Sequence, residues 1–79
     1  MTPKQFYSTK VEILKNLKQS LLQCLDHADS LVETEYRHGD EAYAKEFYEG
    51  TIFGDLNSLI DVVDNEIGAV KALVDMSNA

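Results

Sequence analysis

The fold is decided by residues 14–31, which read LKNLKQSLLQCLDHADSL. Apolar side chains recur there at alternating intervals of three and four residues, in the order Leu14, Leu17, Leu21, Cys24, Ala28 and Leu31. This spacing places side chains on one face of an α-helix, and its sustained repeat is typical of helices that pack lengthwise against a partner helix. The stretch therefore predicts a long amphipathic helix.

A second apolar repeat follows in the other half of the chain, at Ile52, Leu56, Leu59, Val63, Val70 and Leu73. Between the repeats, Gly39 and Asp40 are typical of the end of one helix and the start of the next. We expect Gly39 to adopt a left-handed conformation and Asp40 to act as an N-cap. The chain then forms two helices of similar length, at about residues 3–38 and 41–76.

The start of the first helix is marked by Thr2, Pro3 and Gln5. Thr2 and Gln5 have the spacing of a capping box, and proline is favoured in the first turn of a helix. We therefore expect an antiparallel helical hairpin in a single domain, residues 1–79. Residues whose numbers sum to about 79 would be neighbours in it, which would pair Lys4 with Asp75, Lys15 with Asp64 and Lys18 with Asp61.

The glycines at positions 50 and 54 leave the second helix open to two interpretations. A helix that continues through them, with or without a kink, gives the hairpin. A break at residues 50–55, with Asp55 as a new cap, gives three helices and an alternative three-helix bundle.

The apolar stripe is wider than a two-helix contact needs, because a third position in seven is also apolar, for example Val11, Leu25, Ile60 and Ile67. Two hairpins forming a homodimeric four-helix bundle would cover such a stripe. The residues predicted for this core and dimer contact are Leu14, Leu17, Leu21, Leu25, Leu31, Leu56, Leu59, Ile60, Val63, Ile67 and Val70. Cys24, the one cysteine, is predicted to be a small buried apolar residue.

The formal net charge of −7 argues against direct binding of nucleic acid, since phosphates require a basic surface. No apolar run approaches the ~20 residues of a membrane span, and the N-terminus lacks the hydrophobic segment of a signal peptide. A cytoplasmic protein without a membrane partner is therefore expected.

Catalytic and metal-binding patterns are weak. Glu35 and His38 have the Glu-x-x-His spacing that resembles half of a di-iron carboxylate site, which Glu46 or Glu49 would complete in a homodimer. These residues lie at the solvent-exposed end of a helix, so we interpret them as a polar helix end. We predict no metal, no cofactor and no catalytic residue. The chain is expected not to be an enzyme.

Charge is concentrated at the turn between the helices. Residues 26–55 contain nine carboxylates against Arg37 and Lys45, which is −7, the whole formal charge of the chain. Aromatic residues are interleaved with them, and hydroxyl-bearing rings are common at protein interfaces. The predicted partner-binding residues are Tyr36, Glu41, Tyr43, Glu46, Tyr48 and Glu49.

These features favour a small acidic regulatory or inhibitory protein that binds a basic or DNA-binding protein. Its size and lack of chemistry would suit a modulator encoded by a phage or mobile element. Three alternatives remain open: a DNA mimic that inhibits a DNA-binding protein, a di-metal carboxylate bundle, and a structural assembly subunit.

Overall fold

The computed structural model describes residues 1–77, which form an antiparallel helical hairpin without a strand in that range. The first helix, α1, spans Pro3–His38. The second arm is made of α2 (Glu41–Tyr43), a π-helical segment (Ala44–Phe53) and α3 (Gly54–Met76), which follow one another without a gap. The Cα atoms extend over 57 × 15 × 13 Å. The predicted all-α hairpin is thus confirmed.

Polar side chains fix the start of each arm, as the sequence predicted. Thr2 Oγ1 accepts a hydrogen bond from the Gln5 backbone N–H at 3.1 Å, while Gln5 Oε1 accepts one from the Thr2 N–H at 2.9 Å. Asp40 Oδ1 accepts hydrogen bonds from the N–H groups of Ala42 and Tyr43, at 2.9 and 3.2 Å. These contacts satisfy backbone donors that a helix cannot satisfy in its own first turn.

The turn differs from the prediction at Gly39, whose φ of −132° is not left-handed. Glu35 bends back over this residue, and its Oε1 accepts a hydrogen bond from the Asp40 N–H at 2.9 Å. A Cβ at position 39 would collide with that carboxylate. Glycine leaves room for the close approach of Glu35, and Glu35 holds the turn.

The second arm is continuous, so the alternative of a break at residues 50–55 is wrong. Gly54 has helical dihedral angles, φ −59° and ψ −47°, and Asp55 lies within the first turn of α3 without capping it. The residues around the two glycines instead adopt the wider π-helical winding. Hydrogen bonds in a π-helix run from residue i to i+5, so each turn takes more residues than in an α-helix.

The pairing between the arms is shifted from the predicted register. Lys18 Nζ lies 2.7 Å from Asp64 Oδ1 rather than beside Asp61, and Lys15 Nζ lies 3.9 Å from Glu12 on its own helix. Opposed residues near the middle of the hairpin therefore have numbers that sum to about 82. The π-helical segment explains the shift, because it uses extra residues to cover the same length.

The core is a narrow seam between α1 and α3. Its centre is the buried cluster of Leu21, Ile60, Val63 and Ile67, with the half-buried Leu14, Leu25 and Leu56 packed against it. Val11, Ala28, Val32, Ala44 and Val70 are buried as well. Two helices contact each other along only a narrow stripe of each surface. The side chains in this contact between α1 and α3 include Val11, Leu25, Val32, Ile60 and Ile67.

The hairpin core leaves out part of the predicted set. Leu17, Leu31 and Leu59 are exposed, and so is Cys24. The hairpin alone does not bury these four residues, because their row lies one position to the side of the seam. A place for the three leucines in a dimer contact stays a prediction.

Candidate binding surface at the tip of the hairpin

The tip is built from the last turns of α1, the Gly39–Asp40 turn, α2 and the π-helical segment. We use "tip" for residues 26–55, whose formal charge is −7; the remainder of the chain carries five basic and five acidic residues and is neutral. The charge of the protein is therefore concentrated at one end of a molecule 57 Å long. Such an uneven distribution attracts basic ligands to that end.

Tyr36 and Glu49 join the two arms across the tip. The Tyr36 hydroxyl donates a hydrogen bond to Glu49 Oε1 at 2.8 Å. This hydrogen bond raises the pKa of the Tyr36 hydroxyl above its ordinary value of 10.0, with smaller contributions in the same direction from desolvation and from the negative charges of Glu49 and Glu41. Both residues belong to the predicted partner-binding residues. Within the hairpin they are hydrogen-bonded to each other.

Three aromatic rings form a cluster on the second arm, which we call the aromatic cluster: Tyr43, Phe47 and Tyr48. The Tyr43 and Phe47 rings stack with centroids 5.5 Å apart, and Tyr48 meets both edge-on, at 5.4 and 5.9 Å. Tyr43 remains 48% exposed and Phe47 44%. The rings hold one another in place while presenting a broad apolar surface to solvent.

Phe47 was absent from the predicted binding residues, although its ring contacts both tyrosines of this cluster. Its position four residues after Tyr43 is the spacing that makes helical neighbours and could have identified it. The contact of Tyr43 with Tyr48, five residues on, depends on the π-helical winding. Sequence periodicity does not reveal that contact.

The carboxylates of the tip have different roles. Glu41 Oε1 lies 3.4 Å from Lys45 Nζ, an exposed pair on one arm, and Asp40 and Glu35 hold the turn. Glu46 is exposed and makes no ion pair within the described part of the chain. It lies three residues after Tyr43 on the same arm.

This arrangement has the features of a binding surface. Fixed aromatic rings beside exposed carboxylates can bury an apolar contact while pairing with cationic side chains. Within residues 1–77, no three His, Cys, Asp or Glu side chains converge as a metal site would require. Glu35, half of the Glu-x-x-His pattern, is engaged by the backbone of the turn.

No protein-family model, curated protein or solved structure matches this chain. None of the helices in the described range has the length and apolar character needed to cross a membrane.

Proposed function

We propose that this chain is a non-enzymatic regulatory or inhibitory protein that binds a basic protein through its tip. The observation that carries the proposal is the aromatic cluster, exposed and pre-arranged, within the region that holds the entire net charge. Neither feature alone would be sufficient, since acidic surfaces are common and single exposed rings are ordinary.

The two features would act at different stages of binding. Negative charge at the tip accelerates the encounter with a positively charged partner. This attraction becomes weaker as the salt concentration rises. Aromatic rings act after encounter, because they bury area in the complex and slow its dissociation. Their mutual stacking reduces the side-chain entropy lost on binding.

The test compares three forms of the protein in capture experiments from the lysate of the native host. The first is the parent, and the second is Glu41→Lys/Glu46→Lys, which reverses tip charge but leaves the Tyr36–Glu49 hydrogen bond intact. The third is the matched control Asp61→Lys/Asp75→Lys, which makes the same change in net charge at exposed positions away from the tip.

The proposal predicts a protein captured by the parent and the control and lost from the tip variant. Binding of that purified protein should weaken at high salt. Equal capture by all three forms would contradict the proposal. Competition by duplex DNA for the captured protein would identify the inhibitor as a DNA mimic, whereas capture unaffected by DNA would exclude that alternative.

A further inference from the structure

The two broad faces of the hairpin differ sharply in polarity. The two antiparallel helices are related by a two-fold axis normal to the plane of the hairpin. On each helix, one row of residues stands one position before the seam residues. The axis places these two rows on the same broad face. On one face, which we call the charged face, α1 and α3 place seven carboxylates: Glu12, Asp26, Asp29, Glu33, Asp61, Asp64 and Asp75. The opposite face has two on these helices, Asp55 and Glu66.

The opposite face, which we call the apolar face, carries exposed aliphatic side chains on both helices. On α1 these include Ile13, Leu17 and Leu31, and on α3 they include Leu59, Val62 and Leu73, all between 40% and 62% exposed. Cys24 lies in the same row as Leu17 and Leu31, seven residues from each. The residues excluded from the hairpin core thus form one continuous surface.

We infer that the apolar face binds the same face of a second copy of this chain, with the two hairpins antiparallel, to give a four-helix bundle. Ser20 and Val62 lie opposite each other in the hairpin register and close to the middle of the apolar face. A two-fold axis through this point superimposes the face on itself over nearly its full length. A self-complementary patch at the centre of the molecule is what a two-fold dimer requires.

The charge distribution selects the orientation. A parallel dimer would place two tips of charge −7 side by side, whereas an antiparallel dimer places each tip beside the neutral end of its partner. Like charges held close together oppose association. The antiparallel arrangement removes that repulsion without moving any residue.

The broad face of the hairpin is also large enough to accommodate a standard-sized interface. The Cα extents of 57 and 15 Å give a broad face of roughly 850 Å², similar to the ~800 Å² that each partner contributes to a standard-sized interface. Among the described residues, only Ala44 and Val70 have 2% exposure or less. The hairpin alone therefore removes few of its core side chains fully from solvent. A second copy covers the apolar rows that remain.

The first experiment measures mass by light scattering for the parent, Leu17→Glu and Leu22→Glu. Position 22 is also an exposed leucine of α1 but lies on the side of the seam next to the charged face. The inference predicts a dimer for the parent and Leu22→Glu, and a helical monomer or an unfolded chain for Leu17→Glu. A monomeric parent, or a Leu17→Glu variant that remains dimeric, would overturn it.

The second experiment tests orientation by crosslinking with a short bifunctional maleimide in a Cys24→Ser background. Cysteine introduced by Ser20→Cys lies near the two-fold axis and should crosslink to its copy. Cysteine introduced by Leu31→Cys lies 11 residues away, which separates the two copies by roughly 33 Å at 1.5 Å per residue. Crosslinking at position 31, or none at position 20 in the dimer, would exclude the antiparallel arrangement.

Discussion

At the residue scale, burial distinguishes neighbours that the sequence presents as equivalent. Leu21 and Leu22 are adjacent leucines, yet Leu21 is 8% exposed in the central cluster and Leu22 is 38% exposed outside it. Their contributions to stability must therefore differ. This difference is the most direct check on the position of the seam.

Leu21→Ala is expected to lower the free energy of unfolding by ~2–5 kcal/mol, because it leaves a cavity among Ile60, Val63 and Ile67. Leu22→Ala should change it by less than about 1 kcal/mol, as is usual for a surface position. Urea unfolding of both variants beside the parent measures the two effects. Similar losses for the two would mean that the seam is placed wrongly.

At the element scale, the π-helical segment should be the least stable part of the second arm. Its i→i+5 hydrogen bonds are less favourable than those of an α-helix, and Ala44 is its one buried residue. The described range of α3 buries Ile60, Val63, Ile67 and Val70. Local opening follows from few buried contacts.

We therefore predict that backbone amides of residues 45–53 exchange with deuterium faster than those of residues 59–70. Both sets of amides belong to the same molecule, so each set serves as the reference for the other. Hydrogen exchange followed by NMR gives the rates. Uniform protection along the second arm would contradict the assigned weakness of the π-helical segment.

Tyr36 connects α1 to the π-helical segment, and this connection should depend on pH. The pKa of Tyr36 is raised in the folded state, so the hydroxyl is held neutral there and donates to Glu49. A raised pKa contributes stability below the ordinary value of 10.0 that is lost as pH rises through the folded value. Ionised Tyr36 would face the Glu49 carboxylate as a second negative charge.

The expected result is that the parent is more stable than Tyr36→Phe at neutral pH and loses that advantage above about pH 10. Thermal unfolding of both forms from neutral to alkaline pH measures the difference. Glu49→Gln should reduce the pH dependence, since it removes the charge but keeps an acceptor. A difference in stability between the parent and Tyr36→Phe that stays constant with pH would show that ionisation of Tyr36 does not break a stabilising hydrogen bond.

The elements themselves were largely predictable, because caps and apolar spacing act locally. Thr2, Gln5 and Asp40 were identified in their roles, and the helix limits follow from them. The seam was not predictable in full, since Leu17 and Leu25 fit the same apolar stripe and only packing between the two helices decides which one contacts the core cluster. The π-helical winding and the bend of Glu35 over Gly39 arise from the turn as a whole and leave no periodic signal.

At the scale of the whole molecule, apolar surface and charge are separated. The apolar face lies along the length of the hairpin, while the net charge and the aromatic cluster lie at the tip. In the proposed antiparallel dimer the two tips stand at opposite ends of a bundle as long as one hairpin, 57 Å. Two tips at fixed separation would allow one dimer to bind two basic sites at once, which raises avidity without a new contact.

If the tip steers a basic protein onto this chain, the charge of the tip should set the association rate, and measuring that rate is the most direct test. Stopped-flow mixing with the protein identified by capture should give a rate for the parent that falls steeply with salt. At low salt, Glu41→Lys/Glu46→Lys should associate about 10-fold more slowly or worse, while Asp61→Lys/Asp75→Lys stays much closer to the parent. A tip variant that associates as fast as the parent at low salt would contradict the account.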